Sequence, residues 1–166
     1  EYLGNFVERA RDQNAVDVVV TQKRLIASLR GNTSRVGSFD GPEFDATAFE
    51  PHIAQSQVEL VVAWYNIRKG QACVFGGAFE EAMALFRVAH GMLSTFTSEA
   101  ELAEHLFFGA IAAASTWDHA HDDGRAARRK TILTSREQFD AWAECCPDNF
   151  VCRRDLLSAE LARIDL

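Results

Sequence analysis

Cys145, Cys146 and Cys152, with His119 and His121 upstream of them, are the side chains whose types are best suited to chemistry in this chain. Thiolates and imidazoles are the ligands of structural zinc, which is normally held by C-x2–4-C pairs on tight turns. Two of these cysteines are adjacent. On a helix they point about 100° apart and cannot both face one ion; Cys152 alone could join one of them across Pro147. The spacing favours ordinary buried or half-buried thiols, so neither a metal nor a cofactor is expected. His52, His90 and His105 stand singly among apolar residues, which suits helix flanks making one hydrogen bond each. Glu80-Glu81 offers two carboxylates for acid–base work, yet adjacent acids at a helix start are better explained by the dipole. No Ser-His-Asp or Cys-His pairing stands out along the sequence, and no catalytic residue is assigned.

Two further classes of ligand are disfavoured. The glycine-rich run G-N-T-S-R-V-G-S-F-D-G-P-E-F over 31–44 contains no G-x4-G-K-[ST] and follows no strand, so it is not built to cradle phosphate. Arg128-Arg129-Lys130 is too short for a nucleic-acid stripe in a chain of net charge −7. No run of 18 apolar residues exists, which argues against membrane insertion. Four cysteines are too few and too unevenly spaced for a secreted disulfide framework. The expectation is a cytoplasmic piece of a longer protein.

The elements that would position these residues are helices. Only three prolines interrupt 166 residues, and alanine is abundant. Residues 1–30 read as two helices: a short stripe of Leu3, Phe6, Val7 and Ala10, a break near Gln13-Asn14, then Val16 to Leu29 carrying Val19, Ile26 and Leu29, with Gly31 just past the end. The 31–44 run is the one irregular loop, with Phe39 between Gly37 and Gly41 expected to plug into the helices. Asp45 reads as the N-cap of a short helix 46–54, with Phe49 and Ile53 buried. Two apolar-periodic segments flank Gly76-Gly77. Behind the glycines, Phe79, Ala82, Phe86 and Ala89 share one stripe; ahead of them, Gly70 would let the paired helix approach closely.

Ser98 with Glu101 reads as a capping box for an apolar helix from 99 to about 119, expected to be the central one. H-D-D-G-R over 121–125 reads as a turn, 126–146 as a return helix with Phe139 and Trp142 inward, and Pro147 as its stop. Asp148 is then expected to cap a last helix, 149–164, striped by Phe150, Leu157, Leu161 and Ile164.

The stretch 63–93 resembles one tetratricopeptide unit, with a small residue at the eighth position, Gly then an aromatic at the turn, and A-x3-F on the second helix. The first-helix Trp and Tyr of that motif are absent from their usual places, and an ordinary amphipathic helix hairpin is the alternative. The resemblance implies an all-α chain of about seven helices in antiparallel hairpins, one helical-repeat domain over 1–166 and a piece of a longer α-solenoid. It also implies a truncated repeat from 148, with an exposed apolar face on the last helix through which the chain could form a homo-oligomer.

More of the chain resembles one helical region of large bacterial signalling proteins. The runs R-L-I-A-S-L-R-G-N-T, G-S-F-D-G-P-E-F-D, A-W-Y-N-I-R-K, W-A-E-C-C-P-D-N-F and A-E-L-A-R-I occur in the order and at spacings similar to that region. It lies between a predicted ATPase domain and a GAF or histidine-kinase module, in chains that often begin with a serine/threonine-kinase-like domain. Gly70, where a large apolar residue is expected, and Ala78, where Asp is usual, depart from the pattern. The resemblance implies a non-catalytic scaffold that relays signals between domains, the kinase and ATPase motifs lying elsewhere in the parent chain. In such a scaffold the first helix of each unit lines a groove. The register places Trp64, Ile67, Arg68, Gln71 and Phe75 there, then Leu106, Phe107 and Ala110 in the next unit. That lining is apolar and suits a partner helix or another segment of the parent chain. The alternative is an all-α ligand-sensing domain whose aromatic groove takes a small molecule.

Overall fold

The computed structural model of the chain describes residues 12–92 and 99–166, and among them there are seven α-helices and no strand. In chain order they are α1 (Gln13–Leu29), α2 (Ala46–Ala54), α3 (Glu59–Phe75), α4 (Phe79–His90), α5 (Glu99–Ser115), α6 (Asp122–Cys145) and α7 (Pro147–Ile164). A 3₁₀ turn, Trp117–His119, precedes α6. The fold is all-α. The stripe Leu3-Phe6-Val7-Ala10 and the Ser98 capping box lie outside the described residues. The chain divides into two compact units, Glu1–Leu102 and Ala103–Leu166.

In the first unit α3 is the hub, packing against α1, α2 and α4. Its core gathers Leu25, Phe39, Ile53, Val61, Val62, Tyr65 and Ala72, with Phe44 and Phe49 half-buried against it. Asp45 caps α2, its Oδ1 accepting from Ala48 N–H at 3.2 Å. Asp12 does the same for α1 through Asn14 and Ala15. Both α1 and α3 stop in the same way. Gly31 (φ +73°) and Gly77 (φ +76°) take the left-handed conformation open to glycine. The N–H of each and of the residue after it then bond back to the last carbonyls: Gly31 to Ser28, Asn32 to Ala27, Gly77 to Val74, Ala78 to Cys73.

The stripe on α4 packs as its spacing predicts. Ala82, Phe86 and Ala89 are buried, and Phe86 points end-on at Gly70 of α3. A Cβ at Gly70 would lie 2.7 Å from Phe86 Cζ, inside van der Waals contact. Gly70→Ala should therefore destabilise the α3–α4 pair by about 1–3 kcal/mol in urea titration. Phe86→Leu in the same chain should recover part of that loss. An additive double variant would show that the two residues do not touch.

Helix α1 departs from the expected pattern. The side chains it buries are Asp17, Thr21, Leu25 and Ser28, whereas Ile26 and Leu29 are exposed and Val19 is half-buried. The polar residues face inward because each of three finds a distant partner. His52 Nε2 lies 2.8 Å from Asp17 Oδ2, and Gln13 donates to Asp17 Oδ1 at 2.8 Å. Ser28 Oγ accepts from Gly37 N–H at 3.1 Å. Arg24 turns away from solvent as well, donating through Nε and Nη2 to the Phe39 carbonyl and lying 4.7 Å from the Phe44 ring centroid.

In the second unit α6 and α7 pair closely, and α5 completes the core. Ala103, Ala110, Ala113 and Ala114 meet Ile132, Phe139 and Leu157; Phe139 stands edge-on to Trp142 at 5.3 Å and lies 6.0 Å from Phe150. Three boundaries move from their expected places. Helix α5 ends at Ser115, where Thr116 Oγ1 donates back to the Ala112 carbonyl. H-D-D-G-R is no turn: α6 begins at Asp122, because two acids in a first helical turn complement the dipole. Helix α7 begins at Pro147 in the N1 position, with Asp148 inside the first turn and not at the cap. The apolar stripe expected to stay open on the last helix is closed. Leu157 is fully buried, and Phe150, Leu161 and Ile164 pack against the same core.

Candidate interaction surface

Helix α3 carries five of the residues that the repeat register assigns to a groove, and it presents them in three different ways. Ile67 is 1% exposed and Gln71 is also buried, so both belong to the interior and neither can line an open groove. Trp64 and Arg68 are half-buried and stacked, the guanidinium carbon 4.9 Å from the indole centroid. Arg68 Nη1 also donates to Gln71 Oε1 at 2.9 Å, so the three side chains form one connected run. Phe75, at the end of the helix, is 54% exposed.

Leu106 and Phe107 belong to the second unit, where both pack against its core. The Phe107 ring has Phe139 edge-on at 6.2 Å and the Arg153 guanidinium at 5.0 Å; Arg153 also bonds Glu104 at 2.5 Å. These two are core-side residues of their unit, and Ala110 beside them is buried. Periodicity placed all of them on one face but could not tell an inward face from an open one.

Phe75 is joined by residues that the sequence did not single out. The loop crosses α3 at Gly37, which accepts a bond from Cys73 Sγ at its carbonyl and sits against Ala72 and Gly76. A Cβ on Gly76 would lie 2.5 Å from the Val36 carbonyl oxygen, so this crossing admits only glycine. Ser28 holds Gly37 from the other side. Leu29, Val36 and Phe75 each adjoin one of these contact points, and Ile26 lies one turn back along α1. All four are exposed: Ile26 45%, Leu29 51%, Val36 47% and Phe75 54%. Val36 stood out in the sequence as the one apolar residue of an otherwise polar G-N-T-S-R-V-G run, and that was the available signal.

A polar network flanks this end. Glu50 Oε1 accepts from Tyr65 Oη at 2.8 Å and from Lys69 at 2.5 Å. Burial, then the Glu50 carboxylate, holds the Tyr65 phenol well above the usual tyrosine range. Arg35 and Lys69 both approach Glu81, at 3.8 and 4.0 Å. Glu80 and Glu81 do sit in the first turn of α4.

The thiols separate by environment. Cys73 is buried, and burial pushes it up to about 12, with the Glu81 carboxylate adding to the shift. Cys145 and Cys152 are exposed and Cys146 is half-buried, receiving a bond from Asn149 Nδ2 at 3.1 Å. Among the described residues no three His, Cys, Asp or Glu side chains gather into a group able to hold a metal. Because the thiolate is the nucleophile, iodoacetamide at about pH 8 should label Cys145 and Cys152 within minutes and leave Cys73 unlabelled until the chain is denatured. Rapid labelling of Cys73, read by peptide mass spectrometry, would contradict the loop–helix seal.

Compared with known proteins, the chain matches no family model, no curated protein and no solved structure. No helix among the described residues is long and apolar enough to cross a membrane.

Proposed function

We propose that this chain is a non-catalytic protein-interaction module, a cytoplasmic scaffold that relays signals between domains of the kind found in large bacterial sensor kinases. The observation that supports it is the gathering of Ile26, Leu29, Val36 and Phe75, all about half exposed, at the place where α1, the loop and α3 are locked together. Apolar side chains scattered singly over a surface need no explanation, but a cluster on a rigid platform marks a contact site. The resemblance to tetratricopeptide hairpins and to the helical region of signalling kinases agrees with this role. So does the Gly70–Phe86 packing of α3 on α4. The surface for association differs from the expected one. Self-association through α7 would have to use its outer side, around Leu156, since Leu157 and its stripe face the core.

The test is photo-crosslinking in cells, with a photoreactive amino acid at position 75 and, as control, at exposed position 134 on α6. Position 75 should give polypeptide adducts in clear excess over position 134, at a site on a partner or parent chain that mass spectrometry can identify. Equal, background-level adducts at both positions would refute the interaction module.

A further inference from the structure

We infer that the end of the first unit where α1, the loop and α3 meet docks an acidic amphipathic helix. This deepens the proposed interaction role and rests on it, adding the chemistry of the partner.

The apolar centre is made by Ile26, Leu29, Val36 and Phe75. Its rim is set by three cations. Lys23 and Arg30 are exposed on the side of α1 that also carries Ile26 and Leu29, and Arg35 adjoins Val36 with its side chain 60% exposed. The acids nearby are fewer in effect. Helix α1 contains a single carboxylate, Asp17, and it is turned inward onto His52 and Gln13. Glu80 and Glu81 begin α4, and Glu81 is shared between Arg35 and Lys69. The carbonyls ending α1 and α3 do not offset the cations, because Ala27, Ser28, Cys73 and Val74 already receive backbone N–H bonds. In a chain of net charge −7, this end is locally basic around an apolar floor.

An apolar floor takes one stripe of a helix at i, i+3 or i+4, and i+7, and a cationic rim selects acids on either side of that stripe. The patch holds one aromatic ring and three cations, less than an interfacial membrane helix uses. A peptide helix is the better complement.

The test selects from a displayed library of helices about 18 residues long, with a fixed leucine stripe and flanking positions free to be Glu, Lys, Gln or Ser, on the purified whole chain. Glu should be enriched over Lys at the flanks. The selected helix should bind Lys23→Glu/Arg30→Glu about tenfold more weakly, and Leu29→Asp/Phe75→Asp not measurably, with helical content unchanged in both variants. Binding should also weaken as salt is raised. Enrichment of Lys or Gln, no enrichment at all, or unchanged binding to the charge-reversed variant would overturn the proposal. Preference of the chain for phosphatidylserine vesicles over every selected helix would overturn it too. If adducts at position 75 persist while no acidic flank is selected, only the partner's chemistry is wrong; if those adducts are absent as well, the interaction role itself fails.

Discussion

Leu157→Asp should unfold the second unit, whereas Leu156→Asp, one residue earlier, should leave it intact. Leu157 is fully buried between the alanines of α5 and Phe139 of α6, with Leu161 and Ile164 beside it. Removing a buried leucine costs about 3–5 kcal/mol, and a carboxylate left there adds a further desolvation penalty of at least 1–3 kcal/mol. A small domain has only about 5–15 kcal/mol in total. Leu156 is 44% exposed on the opposite side of the same helix, where substitutions cost within about 0.5 kcal/mol. Hydrogen exchange across Ala103–Leu166 reads the difference directly. The Leu157 variant should lose protection throughout α6 and α7, and the Leu156 variant should keep it. If the Leu157 variant stays folded and changes only its association state, the stripe on α7 faces outward and the helix assignment is reversed.

Phe39→Ala should be nearly as damaging to the first unit, at about 3–5 kcal/mol. Phe39 has no exposed surface, stands edge-on to Tyr65 at 5.8 Å, and its carbonyl is held by both Arg24 donors. It is the only large apolar side chain that fastens the 31–44 loop into the core cluster among Leu25, Val61, Val62 and Ala72. Without it the loop should lift from α3, taking the Gly37 carbonyl away from Cys73. Two readouts should move together: the urea midpoint falls, and Cys73 becomes open to alkylation in the native chain. A lower midpoint with Cys73 still protected would mean that Arg24 and Ser28 hold the loop without the plug.

Much of this architecture follows from local sequence. Asp45 caps α2 and Gly31 and Gly77 end α1 and α3, because capping needs only the residues that do it and their immediate neighbours. The Gly70–Ala82–Phe86–Ala89 pattern pairs α3 with α4, because small residues opposite an aromatic leave one close fit. Phe39 was legible as a plug because it is a large apolar residue framed by glycines.

What local pattern could not supply was the sense of each face. On α7 the stripe Leu157-Leu161-Ile164 was recognised, but whether α5 covered it depended on how three helices pack. On α3 the groove positions divided into buried Ile67 and Gln71, stacked Trp64 and Arg68, and open Phe75 for the same reason. Helix α1 is the clearest case. Periodicity favoured Val19, Ile26 and Leu29 as its inner side, yet tertiary structure buried Asp17 and Ser28 and left Ile26 and Leu29 in solvent. A polar side chain can be buried without large cost only when a partner meets it. Those partners, His52 for Asp17 and Gly37 for Ser28, stand 35 and 9 positions away, a distance at which only the folded chain brings them together.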